Sequence, residues 1–121
     1  MTRKWTAVLA PVGITGLNAQ IIASSAEITV TDKAPLFGVD GNLVGEVTSA
    51  SIQDGYIVAE GILLEGQSLP TGRPTFDIDP WSRHTFTENP MEFRFHDCEI
   101  CSVRIGFGPA WDDPKIMFSD R

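Results

Sequence analysis

Nowhere in this chain does an apolar 3.6-residue period persist for three turns, so no long amphipathic helix is available to build on. Apolar residues come instead in short runs, rich in β-branched and aromatic side chains and bounded by Gly, Pro, Asp or Asn. Such runs read as strands, because branched and aromatic side chains fit a pleated surface, and their boundaries read as turns. The pattern predicts a mainly β chain with few or no helices. Its 121 residues leave room for one core. The expectation is therefore a single domain over 1–121, built as a small β-barrel or sandwich.

The first strand is expected over 5–10, stopped by Pro11, and a second over 26–31, although Ser24-Ser25-Ala26-Glu27 suits a short helical turn as well. Asp40-Gly41-Asn42 marks a turn. The segments 43–50 and 56–64 flank Gln53-Asp54-Gly55, where Asp-Gly favours the positive φ values of a tight hairpin. Residues 65–74 read as a loop, 75–79 as a short strand and 80–90 as a second irregular segment. Strands follow over 91–96 and 99–105, a break over 106–110 and a last strand over 115–118.

A formal charge of −7 argues against a nucleic-acid partner, which would require a basic face to displace phosphate counterions. No apolar run approaches the roughly 20 residues that span a bilayer as a helix, so no membrane partner is expected. The basic start, Met1 to Trp5, leads into an apolar run that Pro11 and Gly13 cut short, which predicts a chain kept in the cytoplasm of the cell that makes it. Cys98 and Cys101 lie in an alternating, strand-like stretch. Positions three apart on a regular strand point to opposite faces, so two reduced, partly buried thiols are expected in place of a redox pair. A zinc site on His84, His96 and Cys98 would still need a fourth ligand, and neither metal nor cofactor is expected. Asp77 and Asp79 read as acids on a solvated face, and Asp112 and Asp113 as turn caps. Trp81, Phe86, Phe107 and Trp111 are large aromatics in expected loops: they either plug the ends of the barrel or form an exposed partner-binding anchor.

Five segments, in order, resemble the maturation protease of tailed-phage proheads, in the form carried by phages of actinobacteria. They are Trp5-Thr-Ala-Val-Leu-Ala-Pro-Val-Gly13, Pro35-Leu-Phe37 with Leu43-Val-Gly-Glu-Val47, Val58-Ala-Glu-Gly-Ile-Leu63, Arg73-Pro-Thr-Phe-Asp-Ile-Asp79, and the ending from Cys98 to Ile116. The Pro109-Ala110 step, followed by an aromatic, acids and Lys115-Ile116, is the most specific part.

The resemblance implies a nucleophilic Ser in the segment 73–79 and a catalytic His between Pro35 and Leu43. Here Thr75 stands at the Ser position, and no His lies between Pro35 and Leu43. A hydroxyl is a poor nucleophile unless a base takes its proton, so catalysis is expected to be lost. What the resemblance then implies is a degenerate, non-catalytic relative: a capsid decoration or minor capsid protein of the virion, binding the major capsid protein at a symmetry position of the shell, with a homo-trimer as the expected oligomer. The alternative is a minimal maturation protease using Thr75 with His84 or His96.

Overall fold

The computed structural model describes residues 3–106 and 110–120, the side chain of Asp120 excepted. Among them are nine strands and no helix: β1 (Arg3–Pro11), β2 (Gln20–Val30), β3 (Ala34–Phe37), β4 (Leu43–Gln53), β5 (Tyr56–Leu63), β6 (Arg73–Ile78), β7 (His84–Glu88), β8 (Met91–Gly106) and β9 (Phe118–Asp120). All belong to one mixed sheet in the order β2-β8-β3-β4-β5-β1-β9, with β6 and β7 also paired to β8. The mainly β expectation holds.

The hairpin expected at Asp54-Gly55 forms as read: both residues have positive φ, 51° and 81°, and Gln53 faces Tyr56 across the turn. That is the two-residue turn whose twist matches its strands. The sheet alternates inward and outward residues along β5, and its inner face gathers Trp5, Leu9, Ile22, Leu36, Ile57, Ile100 and Val103, all fully or almost fully buried.

The sheet does not close into the expected barrel. It curls until β6 meets β1, but β1 ladders with β9 on that side and not with β6. The segment before β9 occupies the seam. Val8 N–H donates to the Met117 carbonyl at 3.0 Å, and the Arg73 guanidinium donates to the carbonyls of Asp113 and of Ile116, the latter at 3.3 Å. Asp113 caps the turn, its Oδ1 accepting from Lys115 N–H at 2.9 Å, while Tyr56 O–H donates to its Oδ2 at 2.7 Å. These bonds hold the Asp113 carboxyl below its ordinary range, and the same carboxylate raises the Tyr56 phenol. The cap also explains why the last strand starts at Phe118 and not at 115: the chain is still turning at Lys115.

Three further segments differ from the sequence reading. The second strand begins at Gln20, and the Ser24-Ser25 stretch is no helical turn. Residues 23–26 bulge out against His96 alone, with Ser24 and Ser25 exposed. The two strands expected around Asp97 are one 16-residue strand, β8, because it has partners on both edges, β7 and β6 on one and β2 and β3 on the other. Finally, the segment 80–90 is not irregular throughout: β7 pairs antiparallel with β8 from His84↔Phe95 to Glu88↔Met91.

Candidate binding site at the turn between β6 and β7

Asp79-Pro80-Trp81-Ser82 follows β6 directly. Asp and Pro at the first two positions of a turn are its usual chemistry, Asp through its side-chain acceptor and Pro through its fixed φ. Ser82 N–H donates to the Asp79 carbonyl at 2.9 Å, and Trp81 N–H donates to the Asp79 carboxylate at 2.8 Å. Ser82 is itself buried, and its Oγ accepts from Glu99 N–H at 3.1 Å, which ties the turn to β8. At its tip the Trp81 side chain is 92% exposed. A large apolar surface is thus held in water on a backbone that three hydrogen bonds fix.

Beneath the indole lies a shallow groove of about 240 Å³ whose walls include Glu27, Thr29, Asp97 and Glu99. The parallel pairing of β2 and β8 sets Glu27 directly opposite Asp97 and Thr29 opposite Glu99. Like charges directly opposite one another destabilise a ladder. Arg83 offsets part of this through an exposed ion pair with Asp97 at 3.3 Å, and Thr31 Oγ1 donates to Glu99 at 2.9 Å. None of these acids was singled out from the sequence, because only the β2–β8 register brings them together.

The other expected anchors divide. Phe86 is 50% exposed on β7, its ring 4.8 Å from that of Phe93. Trp111 is no surface anchor: it is 7% exposed, stacks on Phe76 and donates its indole N–H to the Ile14 carbonyl at 2.7 Å. It packs with Ala10 and Ile116 inside the seam, a plug for the gap that barrel closure would otherwise fill. Phe107 lies outside the described residues.

Thr75 and His84 line a second depression, about 490 Å³, together with Asp77, Phe95 and Arg104. Neither imidazole is hydrogen-bonded to Thr75. His84 Nδ1 sits 3.0 Å from the Ser82 carbonyl, and His96 Nε2 sits 3.1 Å from the hydroxyl of Thr85, a different threonine. Asp77 does not orient a histidine either. It takes both nitrogens of Arg104, at 3.0 and 3.2 Å, and the Ser102 hydroxyl at 2.7 Å. The guanidinium holds its carboxyl below the ordinary range, against a smaller opposing effect of burial. Asp77 and Asp79 are both partly exposed, and each has a partner of its own: Asp77 is ion-paired with Arg104 and Asp79 caps the Trp81 turn.

Both cysteines are free, Cys98 buried and Cys101 half-buried. Burial, with a smaller contribution from Cys101, pushes the Cys98 thiol up to about 12, so it stays protonated and unreactive. Among the described residues, no group of three or more His, Cys, Asp and Glu side chains is arranged to hold a metal ion. Comparison of the chain with family models, with curated proteins and with solved structures returned no match.

Proposed function

We propose that this chain is a virion structural protein of a tailed phage, a capsid decoration or minor capsid protein, that binds the major capsid shell on a degenerate protease-like core without catalysing cleavage. The binding part of this reading is carried by one observation, the 92% exposed Trp81 on a turn fixed by hydrogen bonds. Tryptophan is a preferred binding hot spot, and a side chain whose backbone is already ordered loses less entropy on association. The acids beneath it favour a partner segment that brings Lys or Arg alongside an apolar contact, since a cation there relieves the Glu27–Asp97 repulsion. The shell as partner comes from the ordered resemblance of five segments to the prohead protease, and the absence of catalysis from Thr75 standing where that family has a Ser, with no histidine bonded to it. The site of action is then the virion, reached after synthesis in the host cytoplasm.

Trp81→Ala tests the reading. Loss of a central tryptophan is expected to weaken association by about 2 kcal/mol or more, roughly 30-fold, measured by co-sedimentation with assembled capsid shells. The thermal midpoint should hardly move, because the side chain buries almost nothing in the free chain. Undiminished co-sedimentation would remove Trp81 from the interface, and a wild-type chain that never co-sediments would remove the shell.

A second reading is favoured by one feature: Thr75 and His84 stand in the walls of the same depression. A minimal maturation protease would use them as nucleophile and base, with His96 as the other candidate base. Thr75→Ala should then abolish cleavage of the capsid precursor. Cleavage unchanged by that substitution ends the protease reading.

A further inference from the structure

β7 lies at an edge of the sheet. Among the described residues its only ladder is with β8, all five of its residues are exposed, and its register with β8 runs from His84 to Glu88 without a bulge. Proteins ordinarily protect such an edge with lysine, proline, a bulge or a covering loop, because unpaired N–H and C=O groups accept any further strand. β7 contains no lysine and no proline. The other strands with an open side do carry such interruptions. β6 contains Pro74 and is tied into the seam through Arg73, β2 is broken by its four-residue bulge, and β9 is only three residues long.

The sequence of β7 also selects its occupant. Read outward from Phe86, it is self-complementary: Thr85 and Thr87 flank the ring, and His84 and Glu88 lie beyond them. Antiparallel pairing of two copies about Phe86 sets His84 opposite the partner copy's glutamate, Thr85 opposite its second threonine, and the two phenylalanines opposite each other. Each of these cross-strand pairs is favourable: imidazolium with carboxylate when the ring is protonated, hydroxyl with hydroxyl, aromatic with aromatic. His84 Nδ1 already faces the Ser82 carbonyl, so it is the doubly protonated ring that can also donate from Nε2 to a carboxylate. Parallel pairing in register would instead set glutamate on glutamate. Phe86 already packs on Phe93 at 4.8 Å while half its surface remains in water. Joining two such pairs across a two-fold axis would bury four rings in one cluster.

We propose that β7 is a self-association edge, through which two copies of this chain join by antiparallel β7–β7 pairing about a two-fold axis at Phe86, extending the sheet from one copy into the next. The interface is isologous, so it closes at two copies. It replaces the trimer that the prohead-protease resemblance suggests. The net charge of −7, with His neutral, opposes association in general, but β7 and the preceding Arg83 are balanced on the same count, with Arg83 at one end and Glu88 at the other. The inference does not rest on the capsid reading, and it leaves Trp81 free on its own turn for a different partner.

Sedimentation equilibrium of the full chain over a wide concentration range tests it. The wild type is expected to show a reversible monomer–dimer equilibrium. Phe86→Lys sets two ammonium groups opposite each other at the axis and should give monomer throughout, with secondary structure retained and the thermal midpoint lowered only by the lost Phe86–Phe93 contact. Glu88→Lys takes the carboxylate out of both His84–Glu88 pairs and sets an ammonium opposite each imidazole, and should weaken the dimer by roughly tenfold. Adding His84→Glu to it restores the complementarity, and with it most of the affinity. If Phe86→Lys fails to fold, this charge exchange decides the question alone. A wild type that is monomeric at every concentration or trimeric overturns the proposal. So does a dimer that survives Phe86→Lys, or a double exchange that binds no better than Glu88→Lys alone. Trp81→Ala should leave the dimer intact, which separates this result from the outcome at the shell.

Discussion

Replacing Trp5 by alanine is expected to cost about 3–5 kcal/mol, the range for a large buried aromatic, and so to remove much of the stability of a domain this size. Trp5 is fully buried and couples three strands. It lies on β1, faces Gly61 of β5 and Asp120 of β9 in register, meets the Phe118 ring edge-on at 6.0 Å, and donates its indole N–H to the Ile62 carbonyl at 3.2 Å. Alanine would lose the apolar burial and leave a cavity where β1, β5 and β9 come together. The Ile62 carbonyl would lose that donor as well, a smaller cost. Denaturant unfolding measures the loss directly, and the thermal midpoint should fall by roughly 12–20 °C. Trp81→Ala is the internal control, since it removes the same atoms from a side chain that is 92% exposed. Equal losses at the two positions would mean that Trp5 is not the packing centre described.

The same contrast marks how far the sequence could be read. Trp5 sits in an alternating run, so its inward direction follows from period two, and the Asp54-Gly55 hairpin follows from turn chemistry between two alternating strands. Trp81 and Trp111 both follow Pro or Gly-rich stretches, and composition alone does not separate the exposed indole from the buried one. The signal that did exist was Asp79-Pro80, which places Trp81 at the third position of a tight turn and hence at its tip. Trp111 needed the seam between β1 and β6, a contact between residues nearly a hundred apart in the chain.

β7 escaped for a different reason. A strand exposed on both faces has no apolar alternation to detect, and its neighbours Pro80, Asn89 and Pro90 read as loop. β8 was split in two because its inward parity changes between Phe95 and Cys98. His96 and Asp97 N–H both point at the Arg83 carbonyl, at 2.8 and 3.3 Å, the mark of a bulge that shifts the alternation by one residue. The same register shift and the β2 pairing create the acidic groove. The candidate site was therefore legible in its aromatic and illegible in its charges.

Gly61→Ala is expected to be the most damaging addition of a single methyl group, at about 3 kcal/mol, the upper end for overpacking. Gly61 lies in β5 between β1 and β4, facing Trp5 on one side and Val47 on the other. A methyl there would overlap the Glu46 carbonyl oxygen and come within 2.9 Å of Trp5 Cε2, whereas carbon atoms settle at about 3.5–4.0 Å. Neither neighbour can yield cheaply. The carbonyl belongs to the backbone of a paired strand, and the indole is fully buried. Gly55→Ala separates this close approach from the general cost of losing a glycine. Gly55 has φ +81° and nothing within 4 Å of its absent Cβ, so alanine there meets only backbone strain of about 1–2 kcal/mol. In the double variant of Trp5→Ala with Gly61→Ala, the ring that the new methyl strikes is gone while the carbonyl remains. The second substitution should then cost less than it does alone, a coupling readable from a double-mutant cycle by denaturant unfolding. Strict additivity would show that the carbonyl, and not the ring, sets the whole requirement for glycine.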